Sequence, residues 1–168
     1  MRRAALALLA LLLALLAASP AAAQVRVSFV APERYTDAEN RFGSGLPLRV
    51  VLGEMRRLFE TLGARYLAPG QTLDVAVLDI DLAGLDRPNF GAAQGLRVVT
   101  DITPPRLRLR YALKERGRTV LAAEETVTDI NVLLRANRLS SGEPLFYERE
   151  VLRDWFQARI VQRRPPRG

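Results

Sequence analysis

The chain has 168 residues, of which 49% are hydrophobic and 26% are charged, and its formal net charge is +7. This composition is too apolar for a disordered chain, and beyond the first two dozen positions the apolar runs are too interrupted for a membrane protein. Because the sequence has neither cysteine nor histidine, we expect no disulfide scaffold, no cysteine-linked lipid anchor, no Cys/His zinc site and no nucleophile activated by histidine.

The first 23 residues have the pattern of a secretory signal peptide. Arg2 and Arg3 form a basic start, residues 4–18 form an uncharged apolar run, and residues 21–23 are the small alanines that a signal peptidase accepts. An uncleaved anchor is the alternative, but about 15 apolar residues are fewer than the roughly 20 that a spanning helix needs. We expect cleavage after residue 23 and export to the periplasm. The mature chain would have 145 residues, 23 basic and 18 acidic, and no transmembrane segment.

A short strand and a long amphipathic helix open the single domain predicted over residues 24–162. Residues 25–29 alternate apolar and polar side chains, which is typical of a half-buried strand. Apolar residues then recur at helical spacing over residues 48–62, and Gly63 is placed as the glycine that ends the helix. Residues 163–168 are expected to form a disordered basic tail.

The segment 72–82 is rich in branched residues and predicts a strand. Strict alternation along this strand places Asp79 and Asp81 on the same face as Val77. The Cα atoms of the two aspartates would lie about 6.5 to 7 Å apart. At that spacing two carboxylates can perform acid and base chemistry on a glycosidic bond, or bind calcium.

A hairpin is predicted over residues 106–113 and 120–128, with its turn at Arg116 and Gly117. Basic and apolar side chains alternate along its first strand. One face carries Arg106, Arg108 and Arg110, and the other carries Leu107, Leu109, Tyr111 and Leu113. The preceding segment, 83–105, is predicted as a long loop in which only residues 96–102 could form a short strand.

Three interpretations of these charged residues stay open. In the first, the arginines pair with the two aspartates and with a glutamate of the next strand, and each cross-strand pair stabilises the sheet by about 0.2 to 1 kcal/mol. A two-residue turn would place Glu125 opposite Arg108, and a one-residue change of loop length would place Glu124 there. In the second, Arg108, Arg110 and the aspartates form a polar ligand-binding face, and in the third the aspartates are a catalytic pair. A nucleic-acid surface is not expected, because Tyr111 points away from the arginines and the mature charge is modest.

The densest polar stretch, residues 129–143, leads into a second amphipathic helix predicted over residues 147–160. Residues 129–138 are ambiguous between a strand end and a short helix. The candidate binding residues of this stretch are Asn131, Arg135, Asn137, Ser140 and Ser141. They could form an anion-binding loop at the helix N-terminus, or they could simply cap helices and shape turns. Glu148 near the start of the helix and Arg159 near its end are placed as the helix dipole favours.

Five segments of the sequence, taken together, indicate a family resemblance. They are FVAPERYTDA at 29–38, LGARYLAPGQTL at 62–73, LDIDLAG at 78–84, TPPRLRLRY at 103–111 and TDINVLLRANRLSSGEPLFYEREVLRDWF at 128–156. In this order they resemble the bacterial exported family known as domain-of-unknown-function family 3016, although residues 85–95 depart from its pattern. The resemblance implies a small secreted or periplasmic domain, and it implies no reaction, ligand or catalytic residue.

The predicted fold is a two-layer α+β sandwich, with a mostly antiparallel sheet and two amphipathic helices on one face of it. The leucine-bearing face of the hairpin is expected to meet the helices. The leading functional hypothesis is a non-enzymatic envelope module that binds a partner protein, a glycan or an anionic small ligand, with no cofactor and no metal. The alternatives are a carboxylate-dependent hydrolase that acts on cell-wall glycan through the two aspartates, and an adhesion or structural role.

Overall fold

The computed structural model describes residues 23–39, 46–86, 97–135 and 144–166. Its strands are β1 (Gln24–Phe29), β2 (Gln71–Asp81), β3 (Leu85–Asp86), β4 (Arg97–Val98), β5 (Arg106–Glu115) and β6 (Arg118–Thr128). The main sheet has four strands in the order β1, β2, β5, β6. β1 runs parallel to β2, whereas β2 with β5 and β5 with β6 are antiparallel. The predicted two-layer α+β sandwich with a mostly antiparallel sheet is confirmed.

The helical elements form the second layer. They are a 3₁₀ turn (Pro32–Arg34), α1 (Leu48–Tyr66), α2 (Val132–Arg135), α3 (Phe146–Trp155) and a π-helix (Phe156–Val161) that continues α3. Within the described residues, no helix combines the length and the hydropathy that crossing a bilayer requires.

Helix α1 packs its apolar face on the sheet. Its buried side chains are Val51, Met55, Leu58, Phe59 and Leu62. The prediction that Gly63 ends the helix is wrong, because α1 continues to Tyr66 and the N–H of Leu67 donates to the Gly63 carbonyl. A Cβ atom on Gly63 would lie 2.0 Å from Cγ2 of Val25 in β1. The glycine therefore permits the close approach of α1 to β1.

Strand β2 contains a bulge that changes which face its later residues occupy. Val77 pairs with Leu109 and Asp79 pairs with Arg108, so Leu78 is an extra residue without its own partner position. As a result, the Ile80 side chain lies on the buried face of the sheet, like Val77. The side chains of Asp79 and Asp81 lie on the opposite face. The prediction that the aspartates share a face with Val77 is wrong. Strict alternation would have buried two carboxylates under the helices.

The hairpin of β5 and β6 has the predicted two-residue turn. Arg116 has φ 48° and Gly117 has φ 79°, which is the left-handed pair that a type I′ turn requires. A second bulge in β6 follows the turn, because Lys114 pairs with Thr119 whereas Leu113 pairs with Leu121. Arg108 therefore lies opposite Thr126, and neither glutamate predicted at that position is there.

The leucine-bearing face of the hairpin meets the C-terminal helices, as predicted. Leu107, Leu109, Tyr111 and Leu113 are all buried. Trp155 of α3 packs edge-on against the Tyr111 ring, with 5.0 Å between the ring centroids, and also against Phe59 of α1 at 6.3 Å. The aromatic contacts thus join both helices to one side of the sheet.

The predicted long loop contains a second, small sheet. Leu85 pairs with Val98 and Asp86 with Arg97 in an antiparallel arrangement. The strand expected over residues 96–102 therefore exists but is only β4, two residues long. Residues 87–96 lie outside the described residues.

Candidate functional site

The face of the main sheet that points away from the helices forms a shallow trough. The trough crosses all four strands and has a volume of about 640 Å³. The outward side chains of its floor are small, namely Ser28, Ala76, Ala112 and Ala122. Its charged lining residues are Arg26, Asp74, Arg110 and Glu124. A floor of small side chains allows a flat ligand to approach the backbone of the sheet closely.

A cluster on the hairpin borders the trough, where one glutamate is shared by two arginines. The Nε atoms of Arg108 and Arg110 donate to Glu124 at 2.9 and 3.0 Å. These hydrogen bonds lower the pKa of the Glu124 carboxyl, with Arg108 contributing most. The two arginine side chains remain 58% and 64% exposed. The three hydrogen-bonded side chains therefore have a formal charge of +1, and both guanidinium groups are accessible to a ligand.

A second cluster has the same charge balance. Asp74 accepts a hydrogen bond from Nζ of Lys114 at 2.7 Å, and a guanidinium nitrogen of Arg26 lies 3.8 Å from its other oxygen. Two cations again share one carboxylate. The trough thus has two clusters, each with a formal charge of +1, at diagonally opposite corners of its floor. The small side chains occupy the other two corners, because Asp74 lies beside Ala112 and Arg110 lies beside Ala76.

Asp79 lies beside Arg108 in the register, but its hydrogen bonds come from elsewhere. Its carboxylate accepts from the backbone N–H of Thr36 at 2.7 Å, from the Thr36 hydroxyl at 2.6 Å and from the N–H of Ile80 at 2.9 Å. The structure therefore assigns Asp79 to holding the loop after β1 against β2. The arginines that were expected to pair with it bind Glu124 instead.

Asp81 shares the face of Asp79 and lies opposite Arg106. Burial and the nearby Asp37 raise the pKa of Asp81, against the opposing effect of Arg106. The cavity that Asp81 lines has a volume of only about 170 Å³. Within the described residues, no three carboxylates are grouped so that they could hold a metal ion.

Arg97 ties together the segments around the end of β2. Its guanidinium donates to the backbone carbonyls of Ala83 at 3.1 Å and Gly84 at 2.8 Å, and to the Asp37 carboxylate at 2.5 Å. Beneath it, the buried carboxylate of Glu148 accepts the N–H of Ala83 at 2.8 Å. Glu148 is thus a buried contact between α3 and the loop after β2, rather than a solvent-exposed complement to the helix dipole.

A buried polar cluster joins β6 to the π-helix. Glu125 and Arg159 form an ion pair at 2.8 Å, with side chains only 8% and 10% exposed. The same carboxylate accepts the Tyr111 hydroxyl at 2.7 Å and the Trp155 indole N–H at 3.0 Å. Burial opposes ionisation of Glu125, but the hydrogen bonds from Arg159, Tyr111 and Trp155 outweigh it and lower its pKa. Arg159 therefore has a structural partner that the dipole interpretation missed.

The polar stretch at 129–143 is described only in part. Asp129 accepts the backbone N–H of Asn131 at 2.9 Å, which is the turn chemistry expected of an aspartate before a short helix. Asn131 itself is exposed. Arg135 is the last residue of α2. Asn137, Ser140 and Ser141 lie outside the described residues.

The structure brings together only part of the predicted site. Asp79 and Asp81 share the sheet face of Arg108 and Arg110, whereas Arg135 belongs to α2 and Asn131 directly precedes it. Sequence reasoning placed Glu125 opposite Arg108 and missed both its buried ion pair with Arg159 and the half-buried ion pair of Arg97. The burial of Glu125 and Arg159 could have been predicted, because each lies at a position of its strand or helix that the periodicity assigns to the apolar face.

The family of the chain follows from a comparison with family models. The model described as "Protein of unknown function (DUF3016)" matches residues 23–158. The chain belongs to this family. Neither the curated proteins nor the solved structures contain a match to this sequence. The matched residues of this DUF3016 protein include all four strands of the main sheet and both charged clusters of the trough.

Proposed function

We propose that this DUF3016 protein is an exported module of the bacterial envelope that binds its ligand without transforming it. We further propose that the ligand is an anion with a flat or apolar body, and that it binds in the trough. The observation that carries the proposal is the trough itself, where two pairs of small side chains and two clusters of net positive charge occupy alternate corners of the floor.

The two clusters support binding of an anion for an electrostatic reason. Each carboxylate neutralises only one of the two cations that it contacts, and the guanidinium groups of Arg108 and Arg110 remain more than half exposed. Arginine has five N–H donors in a planar fork, so it can bind Glu124 and a ligand oxygen together. A hydrogen bond to a charged group contributes about 1.5 to 3 kcal/mol.

The hydrolase alternative has less support from the geometry. Asp79 already accepts three hydrogen bonds from Thr36 and Ile80. The cavity of about 170 Å³ beside Asp81 is smaller than the roughly 300 to 1,000 Å³ of typical ligand sites. An inverting or retaining glycosidase needs two carboxylates that both face the sugar, and here one of them is engaged by a neighbouring loop.

A titration with two detergents of opposite charge tests the proposal. The probe is dodecanoate below its micelle concentration, added to the mature chain, and the control ligand is dodecyltrimethylammonium, which has the same alkyl chain and a positive head. Calorimetry should give an affinity for dodecanoate at least tenfold higher than for the cation, a difference of about 1.4 kcal/mol or more. Amide NMR shifts should cluster on the outward residues of β2, β5 and β6.

Matched variants locate the ligand. Arg110→Gln should weaken dodecanoate binding about fivefold to tenfold, the equivalent of about 1 to 1.4 kcal/mol. Arg57→Gln should not weaken it, because Arg57 is an exposed arginine of α1 paired with Glu54. Equal affinity for the two detergents, or equal weakening by both variants, would contradict the proposal.

A further inference from the structure

Strand β6 forms one edge of the main sheet. Its only strand neighbour in the described part of the chain is β5. β6 is 11 residues long, so along this edge a row of backbone N–H and C=O groups faces away from β5. Natural proteins usually shorten, cover or charge such an edge, because it is a template for pairing with another chain.

A groove runs beside the last part of this edge, on the helix side of the sheet. It has a volume of about 570 Å³ and is lined by residues 125–129 of the strand end and by α3 and the π-helix. Its apolar lining residues are Val127, Val151, Trp155 and Ala158. The ion pair of Glu125 with Arg159 lies at the same place and is nearly inaccessible. An edge strand flanked by a helix-walled groove is the arrangement in which extended peptides bind by strand addition.

Two arginines of β5 lie near this edge on the outer face of the sheet, and one of them, Arg108, also binds Glu124. Thr126 and Thr128 point to the outer face of the sheet, where they lie beside Arg108 and Arg106 respectively. Neighbouring strands lie about 4.8 Å apart, so an added strand would lie roughly 10 Å from β5. An arginine and a carboxylate side chain can meet across that distance, and the short threonines do not block them.

We propose that an extended segment of a partner protein, with apolar and acidic side chains in alternation, adds to β6 as a fifth strand. Successive side chains of a strand point to opposite faces. The apolar ones would enter the groove beside Val127 and Ala158, and the acidic ones would meet Arg106 and Arg108. The groove lies on the other face of the sheet from the trough, and Arg108 is the residue that both proposals use.

A peptide titration tests the inference on the mature chain. The probe is the acetylated and amidated peptide TVEVEVEVT, and the readout is the fluorescence of Trp155, which lines the groove and is the single tryptophan of the sequence. The same peptide with lysine in place of glutamate should bind at least tenfold more weakly. The peptide with proline in place of its central glutamate and of the valine before it should not bind detectably, because one of two consecutive prolines must face β6, where it cannot donate to the strand pairing.

Amide hydrogen exchange on the unmodified protein locates the added strand. Saturating peptide should slow exchange at least tenfold at those amides of β6 that face away from β5, while the amides of β1 at the other edge stay unchanged. If the peptide protects β1 or no strand at all, the inference is overturned. Sedimentation that shows a dimer, with the same β6 amides protected before peptide is added, would overturn it too, because a second copy would then be the occupant.

A pair of variants provides an independent check. Ala158→Phe places a large ring in the groove and should weaken the peptide at least tenfold. Ala64→Phe makes the same change at an exposed position of α1 and should leave the affinity within twofold. Equal affinity of Ala158→Phe and the unmodified protein, with both folded by circular dichroism, would overturn the inference.

Discussion

Glu148 has an unusual environment for a carboxylate. Its side chain is almost fully buried, with 3% of the residue exposed, and it accepts the N–H of Ala83. Burial raises the pKa of Glu148, although the Ala83 bond and the field of Arg97 act in the opposite direction. The folded protein therefore binds the Glu148 proton more tightly than the unfolded chain does. The free energy of unfolding consequently falls as pH rises from the ordinary glutamate pKa through the raised one.

Replacement of Glu148 by glutamine should remove this pH dependence. The amide oxygen can still accept the Ala83 N–H, and no charge needs to be buried. Between about pH 4.5 and the raised pKa, each pH unit costs the unmodified protein up to about 1.4 kcal/mol. Urea unfolding from pH 4.5 to 8 should therefore show Glu148→Gln gaining stability over the unmodified protein as pH rises. Above the raised pKa the gain should become constant.

The control for this prediction is Glu150→Gln, on the same helix. Glu150 is half-buried and binds Arg153, so its replacement removes the same charge without relieving deep burial. The stability of Glu150→Gln relative to the unmodified protein should not rise with pH over the same range. A flat difference for Glu148→Gln as well would show that Glu148 does not control this pH dependence.

Helix α1 contains two glycines with different surroundings. A Cβ added to Gly53 would have no atom within 4 Å, whereas one added to Gly63 would meet Val25 at 2.0 Å. Alanine is more favourable than glycine in a helix interior by about 0.8 to 1 kcal/mol. Gly53→Ala should therefore stabilise the protein by about that amount. Gly63→Ala should destabilise it by about 1 to 2 kcal/mol, since overpacking costs about 1 to 3 kcal/mol.

Thermal and urea unfolding of the two variants measure this difference. A third variant, Gly63→Ala with Val25→Ala, removes the obstructing methyl groups and should recover part of the loss. Equal stabilisation by the two single substitutions would mean that α1 can move away from β1 without cost.

Side-chain periodicity predicts which helices and strands exist. It does not predict where a bulge shifts the buried positions of a strand by one residue. The alternation in β5 and the helical spacing in α1 are long enough to average over local exceptions, and both elements form as expected. Each bulge is a one-residue offset, which depends on how the neighbouring strand packs. In β2 the phase change leaves a trace, because Val77 and Leu78 are consecutive apolar residues exactly where the buried positions shift.

The candidate site was predictable to the same extent. The alternating arginines of β5 indicate a basic outer face, and Arg108 and Arg110 lie there. Their partner depends on the offset in β6, so Glu124 could not be chosen over Glu125 without the register. The role of Arg97 was the hardest to predict, because its carbonyl partners are backbone atoms 14 and 13 residues earlier in the same predicted loop.

At the scale of the whole molecule, one sheet has three distinct surfaces. One face is covered by α1 and α3, the other face carries the trough, and β6 offers a free edge in the described part of the chain. Covering only one face of an antiparallel sheet is common. Here it leaves two separate places where other molecules could bind.

The proposed export makes a prediction about the chain that includes residues 1–23. β1 begins at Gln24, directly after the expected cleavage position, so removal of residues 1–23 leaves the strand intact. In a Gram-negative host, the 168-residue chain should be cleaved, and the periplasmic fraction should contain a product whose mass is that of a chain starting at Gln24. The form without residues 2–23 should stay in the cytoplasm, and both forms should unfold at the same temperature because they share all described strands and helices.

Ala21→Phe together with Ala23→Phe should block cleavage, since the peptidase accepts small residues there. Recovery of the intact, uncleaved chain from the cytoplasm would contradict the proposed export.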